Sequence, residues 1–500
     1  MQRNPTIGPA TGSARAGLLA LLALLAAAPL PAQEAGGDTL SLTLEDAVAM
    51  ALDRGRDAHA AEATRDAALF RDAAFNGRLL PRLSLEATAP AYNSSIIEVL
   101  QPDGSTLFRT QDQTTTALSA TLSQRIPWTG GEFFVSSALT RLSLSGTQDE
   151  LTYSSTPVNI GLRQPIFRPN TIRWDRREQD VRTQAADRRF LEEREGIARA
   201  TAGLFFDVYA ARVEWETART NAAVNDTLYT LNTGRYEIGR IGENDLLQSE
   251  LALLQARTNL DAATLALERA LAALRIGLHL PPDAPLAVAA PEETPDFEPD
   301  TALAVREALR NSAAVSDVDL RQIQAERRVT EAKLDNGFGA VLSASYGFNA
   351  TGDELSGAYE NLLEAQRLNF SVEIPLMNWG VRGNEVGAAR MERDAVEHET
   401  RVTLEETAHE ARFAALQLSQ ARRSLELSTR ADTVAQKRFE VAYNRYGIGR
   451  ISIDNLFIAQ REKDQARQRY VQALRGYWDA YYRLRQVTLY DFRRGERIGQ

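Results

Sequence analysis

Four histidines and no cysteine narrow the chemistry open to this 500-residue chain. His409-Glu410 begins like the zinc-binding helix of a metalloprotease, but Phe413 stands where the second ligand belongs. That motif needs two imidazoles four residues apart so that both face one ion. His59, His279 and His398 fall at no ligand spacing. Gly447-Ile448-Gly449 lacks the third glycine of a dinucleotide loop and follows a helical pattern instead of a strand, and no GxxxxGK phosphate loop occurs. Without cysteine there are no disulfides, thiolate metal sites or lipid-modified N-terminal cysteine. A formal charge of −10 offers no basic face to nucleic acid. No catalytic residue, metal or cofactor is assigned, and the expectation is a protein that is not an enzyme.

Two short runs stand out instead. Arg235-Tyr236-Glu237-Ile238-Gly239-Arg240-Ile241 matches Arg445-Tyr446-Gly447-Ile448-Gly449-Arg450-Ile451 at an offset of 210 residues. Gln255-Ala256-Arg257 matches Gln465-Ala466-Arg467, and Pro165 matches Pro375, at the same offset. The chain is therefore an internal repeat. In each run a glycine closes one helical pattern and acidic or amide residues (Asp245; Asp454 and Asn455) open the next, which is ordinary cap chemistry.

The elements that hold these runs follow from periodicity. Leu83, Leu85 and Ala87 alternate with polar neighbours, as do Val158, Ile160 and Leu162, Leu342, Ala344 and Tyr346, and Phe370 and Val372. Such period-two runs are strands with one apolar face. Their expected lengths of about 8 to 11 residues fit an outer-membrane strand. After Pro165 and after Pro375 the pattern becomes helical for about 64 residues, roughly 95 Å at 1.5 Å per residue. The expected seams are Phe190, Ile197, Leu204, Val208, Ala211, Trp215, Ala218 and Ala222 in the first copy and Leu404, Ala408, Ala411, Ala415, Leu418 and Leu425 in the second. A second helix then runs back, over about 245–276 and 454–486.

Ala47-Val48 with Ala51-Leu52 aligns with Ala304-Val305 and Ala308-Leu309 at an offset of 257, so the first half carries 47 more residues before its proline-ended strand. The expected organisation is a signal peptide over 1–32, with Arg3 and Arg15 before the apolar stretch 16–28. A first repeat spans 33–279, with strands at 81–90, 115–127, 132–145 and 156–167 and a hairpin over 170–277. A Pro- and acid-rich linker covers 280–300. A second repeat covers 301–487, with strands at 340–350 and 368–377 and a hairpin over 380–486; a tail covers 488–500. No stretch after the signal peptide is long and apolar enough for a membrane helix, so any membrane entry falls to the strands.

The order helix, strand pair, proline-ended strand, long helix, Arg-Tyr-x-x-Gly tip and return helix, all doubled, resembles the TolC family of outer-membrane efflux proteins. The paired tips RYEIGRIGENDLL and RYGIGRISIDNLF and the paired endings QPIF and IPLM carry the resemblance. It implies a mainly α fold with a membrane β-barrel portion, built as a homotrimer whose helices form a periplasmic tunnel. It further implies the outer membrane of a Gram-negative-type cell as location. The implied function is the exit duct of a tripartite efflux or type I secretion system, fed by a periplasmic adaptor and an inner-membrane transporter of the RND or ABC type. Under the resemblance, Gly239, Arg240, Gly242, Gly449 and Arg450 dock the adaptor, while Asp245, Tyr446, Asp454 and Asn455 close the periplasmic aperture. Asn455 stands where an acidic residue is common, which leaves the completeness of an acidic ring open. A coiled-coil adhesin anchored by a barrel is the alternative.

Ile126-Pro127-Trp128 repeats the strand ending of Pro165 and Pro375, but Thr129-Gly130-Gly131 turns the chain back instead of starting a helix. Pro127, Pro165 and Pro375 are read as junctions at one membrane level. Residues 114–146 are then read as a barrel insertion, giving 18 strands per trimer against the 12 usual in the family; Glu132, Arg141 and the mixed faces of the rising strand keep open the alternative of a hairpin projecting outside it. Trp128 and Trp379 suit an interfacial aromatic belt or a packed core.

Overall fold

The computed structural model describes residues 40–146, 149–289, 294–295 and 297–499. The expected signal peptide lies outside these residues, as does part of the expected linker. In chain order the elements are β1 (Leu40–Leu42), α1 (Leu44–Arg54), α2 (Arg56–Gly77), β2 (Arg82–Leu100), β3 (Thr106–Ile126), β4 (Gly131–Ser145) and β5 (Glu150–Ile166). Next come α3 (Thr171–Glu237), α4 (Glu243–Gly277), β6 (Leu286–Val288), α5 (Thr301–Asn311), α6 (Ala313–Asp335), β7 (Gly339–Gly352) and β8 (Leu363–Glu373). The chain closes with α7 (Val381–Gly447), α8 (Ile453–Thr488) and two short strands, β9 (Tyr490–Asp491) and β10 (Glu496–Arg497).

Six strands form one antiparallel sheet in the order β2-β3-β4-β5-β7-β8. The two halves of the chain meet within it, because β5 of the first pairs with β7 of the second. Toward the helical end register runs unbroken across the sheet, with shifts farther along at Thr88/Ala91, Ser136/Ala138 and Ser155/Val158: Leu83, Leu122, Val135, Ile160, Tyr346 and Gln366 lie in one row, and Arg82, Ser123, Phe134, Gly161, Ser345 and Arg367 in the next. Side chains alternate across a pleated sheet, so one face is mainly apolar and the other mainly polar. Several strands are longer than the alternation indicates. β2 and β3 span 19 and 21 residues, because alternation fades above residue 90 while backbone pairing continues to Leu100 opposite Thr106.

The three prolines differ in detail. β3 ends at Ile126, so Pro127 opens the turn; Pro165 stays in β5 opposite Val341; Pro375 lies two residues past the end of β8. Asn170, whose side chain caps α3, donates from Nδ2 to the Pro127 carbonyl at 2.8 Å, and Gln164 Nε2 donates to the Thr129 carbonyl at 3.0 Å. The β3–β4 turn therefore sits level with the start of α3. Arg168 ties the same level to the second repeat, donating to the Asp335 carbonyl at 2.9 Å and pairing with Glu373. Phe167 stacks obliquely on Phe338 with ring centroids 5.3 Å apart.

α3 and α7 are 67 residues each, about 100 Å long at 1.5 Å per residue. The α7 seam is placed as expected, with Ala411, Ala415, Leu418 and Leu425 buried. The α3 seam is not. Only Val208 and Ala218 of its eight expected positions are buried, and the buried stripe instead runs through Ala198, Ala202, Phe205, Phe206, Tyr209 and Val213. The reason is tertiary: halfway along, α3 packs against α1 and the aromatic end of α8, so its covered face is wider and rotated relative to a two-helix seam.

That midpoint holds the main core. Phe205, Phe206, Tyr477, Trp478, Tyr481 and Tyr482 make edge-on and tilted ring contacts within it. The expected linker is partly structured: β6 pairs in parallel with β1, and Phe297 packs on Tyr481 and Phe492. Arg485 lies half-buried among Glu195 (2.8 and 3.0 Å) and Asp491 (2.9 Å), against the rings of Tyr481 and Tyr482. Among the described residues no helix is long and apolar enough to cross a membrane.

Candidate functional site

The site named by the repeated runs is the end of the two helical hairpins farthest from the sheet. Both turns are built alike. Gly239 has φ +68° and Gly449 φ +72°, a left-handed conformation that suits glycine because a side chain there would crowd the backbone. Gly239 N donates to Tyr236 O at 2.8 Å and Arg240 N to Arg235 O at 2.8 Å. Gly449 N to Tyr446 O and Arg450 N to Arg445 O repeat the pattern at 2.9 Å each. Gly242 and Ser452 are the N-cap positions of α4 and α8.

Gly239, Arg240, Gly242, Gly449 and Arg450 are all exposed, and Ile238 and Ile448 beside them are about two-thirds exposed at 68% and 67%. No atom lies within 4 Å of where a Cβ would stand on Gly239, Gly242 or Gly449. The end of each hairpin is thus an open surface of backbone, one isoleucine and one arginine.

The residues assigned to the aperture do not form one group. Tyr446 is buried at 5% exposure, and its hydroxyl donates to Asn232 Oδ1 at 2.6 Å. Arg235 donates to the carbonyls of Tyr446 (3.3 Å) and Gly447 (2.9 Å), with its guanidinium over the Tyr446 ring. These bonds fasten α3 to α7. Asp454 instead accepts from Gln248 Nε2 at 2.6 Å, which joins α4 to α8, while Asn455 donates to Ser452 Oγ within its own turn. Asp245 lies in the first turn of α4, and among the described residues no side-chain hydrogen bond to it is found. Within the protomer these four residues make separate contacts, and the cross-helix bonds at this end join Tyr446 to Asn232, Arg235 to the Tyr446 and Gly447 carbonyls, and Gln248 to Asp454.

Asn232, Arg235 and Gln248 were not singled out from sequence. One signal was available for Asn232: Asn225 and Asn232 sit seven residues apart, and both are buried along one face of α3. A polar residue recurring at heptad spacing in a helical run points to a buried polar contact. Behind the tip, Leu228, Tyr446, Ile453 and Leu456 form a small core of their own. Between it and the main core the packing turns polar, with Asn221, Asn225, Gln460, Lys463 and Asp464 at the helix interface. Burial pushes the Asp464 carboxyl up from its usual range, against the opposing pull of Lys463 and Asn221.

A sheet with one mainly apolar face, passing directly into paired helical hairpins about 100 Å long, defines a distinct class of fold. The comparisons with known proteins agree with that class. The family described as Outer membrane efflux protein matches residues 133–277, which run from β4 through α4. The fold matches the Campylobacter jejuni CmeC outer membrane channel with a TM-score of 0.64 at 15% identity, covering 91% of this chain and 87% of that one. It matches the outer membrane protein VceC of Vibrio cholerae with a TM-score of 0.63 at 15% identity, covering 89% and 95%. For the open state of the Neisseria gonorrhoeae MtrE outer membrane channel the values are 0.59 and 14%, covering 89% and 88%. No curated protein sequence matches. The chain thus matches the outer membrane efflux protein family in its first half and shares the fold of outer-membrane channels over most of its length.

Proposed function

We propose that the chain is the outer-membrane exit duct of a tripartite efflux or type I secretion system, acting as a homotrimer. An adaptor docks on its helical tips, and a transporter of the RND or ABC type lies beneath. The observation that carries this reading is the continuity of the two-faced sheet with the helical hairpins, which joins a membrane segment to a long aqueous one. An open sheet edge in lipid leaves backbone groups unpaired at several kcal/mol each, so the sheet must close with other copies. The helices make the same demand. α4 exposes Leu247, Leu251, Leu254 and Leu265, and α7 exposes Phe413, Leu427, Val434 and Val441, the last three at seven-residue spacing. Exposed apolar rows at helical spacing on both hairpins suit packing against neighbouring copies.

The tips support adaptor docking because their exposed groups carry no structural load that would hold them in place. Gly449→Pro, which alters the tip backbone, and Arg240→Glu, which reverses its charge, are expected to weaken crosslinking to the adaptor while trimer and sheet still assemble. Unchanged crosslinking in both variants sinks the docking assignment. For the duct itself, the gene is deleted and drug accumulation and secreted protein are measured together. A rise in the first or a loss of the second is expected, and no change in either counts against export.

A further inference from the structure

The first half of the chain supplies four strands to the sheet and the second half two, although the halves are otherwise copies. We propose that all six line the membrane, with the outer edge of β8 pairing with the outer edge of β2 in the next copy, so that three copies close one barrel of eighteen strands. The copy number rests on the trimeric reading above; the share of six per copy does not.

Strand direction permits this closure. β2 leaves the helical end and β8 returns to it, so a β8–β2 junction between copies is antiparallel like the five pairings within the sheet. β3 and β4 are full members of the wall. They share fifteen residue pairs, and from Glu132 to Ser136 the register rows pass through them to β5 without offset, with one shift beyond, between Ser136 and Ala138. Their faces agree with their neighbours. Leu118, Leu122, Val135 and Leu139 lie on the side of Leu83 and Ile160, whereas Ser119, Ser123 and Ser136 lie on the side of Asn159 and Ser345.

The two charged residues that kept a projecting hairpin open fit the wall. Glu132 lies on the polar face at the helical end, between Arg125 and Arg163. Arg141 lies on the apolar face but ten residues above Gly131, roughly 33 Å along the strand and about 25 Å in height at a tilt of about 40°. The apolar band of an outer-membrane barrel is about 25 Å tall. Arg141 therefore reaches the outer interface, opposite Tyr153. Trp128, 82% exposed in the turn at the other end, marks the inner interface.

Size agrees as well. Four long helices per copy make a tunnel of twelve, with a circumference of about 96–120 Å at helix spacings of 8–10 Å. Eighteen strands at a spacing of about 4.8 Å and that tilt give a circumference of about 113 Å and a backbone diameter of about 36 Å. Twelve strands give about 75 Å and about 24 Å by the same geometry. The added hairpin lets the exit match the tunnel in width, so large cargo meets no constriction where strand becomes helix.

The cysteine-free chain makes the test direct. Spin labels are placed singly in full-length protein in liposomes at Leu118→Cys, Leu139→Cys, Ser119→Cys and Ala138→Cys, and their exposure to oxygen and to a water-soluble relaxer is compared. Oxygen is expected to win at the first two and the aqueous relaxer at the last two. Aqueous exposure at all four overturns the proposal. Electron cryomicroscopy of the unlabelled assembly then counts strands: eighteen is expected, and a ring taking four per copy overturns the proposal even if the trimer is intact. A ring with six per copy but another copy number sinks the trimeric reading and leaves the six-strand share standing.

Discussion

At the scale of single residues, buried charge is concentrated where the long helices meet the wrapped linker and tail. Burial alone would lower the Arg485 pKa, but its hydrogen bonds to Glu195 and the charge of that partner hold it above the ordinary value. Arg485→Ala strands Glu195 and Asp491, both nearly inaccessible, and is expected to cost about 3–5 kcal/mol, read as a lower denaturation midpoint of the solubilised protein. Arg485→Met with Glu195→Leu removes the stranded partner along with the cation and is expected to recover part of that loss. Asp464 gives a pH signature. Its native pKa is raised, so the folded state holds the proton more readily than the unfolded one, and the group favours folding most at low pH. That contribution is lost as pH rises through the raised pKa. The melting temperature of the native protein minus that of Asp464→Asn is therefore expected to fall as pH rises through and above the usual carboxylate range. A flat difference would remove Asp464 from the account.

At the scale of elements, the sheet depends on small residues on its polar face. A Cβ on Gly161 would stand 2.2 Å from the Phe134 ring on the neighbouring strand, so the ring lies over the glycine and covers it. Gly161→Val is expected to push Phe134 aside and reduce the fraction of protein that reaches the folded, heat-resistant form on electrophoresis. Phe134→Ala in the same chain is expected to restore it; failure to do so would place the defect elsewhere. The helices show why periodicity located one seam and misplaced another. α7 packs on α8, α6 and α5, fewer helices than α3 meets, and a three-and-four spacing still locates its covered stripe. α3 is shared between α4, α8, α1 and α6, so its buried face reflects several neighbours that no local pattern reports.

At the scale of the whole molecule, what the protomer leaves uncovered is as informative as what it buries. Under the trimeric proposal the exposed leucines of α4 and the apolar row on α7 face neighbouring copies, because apolar surface in water costs free energy roughly in proportion to its area. Leu251→Asp combined with Val434→Asp is expected to shift the detergent-solubilised protein from trimer to monomer in native mass measurements, with the helical content of the protomer retained. A trimer that persists in this variant would mean that these rows face solvent or cargo instead of each other.

The doubling of the chain, the strand-to-helix order, the two long hairpins and the tips at Gly239 and Gly449 were all legible in the residues. Alternation, heptad spacing and a repeated run are local signals set by backbone geometry. The tail and linker were legible only as composition; that β6 pairs with β1, or that Arg497 meets Glu307, depends on contacts between segments far apart in the chain. The same holds for Tyr446, whose partners Asn232 and Arg235 lie more than 200 positions away. The Pro127 hairpin marks the boundary between the two kinds of knowledge. Its residues state that two strands and a stop exist, but a period-two pattern is the same for a wall strand and a projecting one. Only the hydrogen-bonded register from Leu83 to Gln366 places both strands in the sheet.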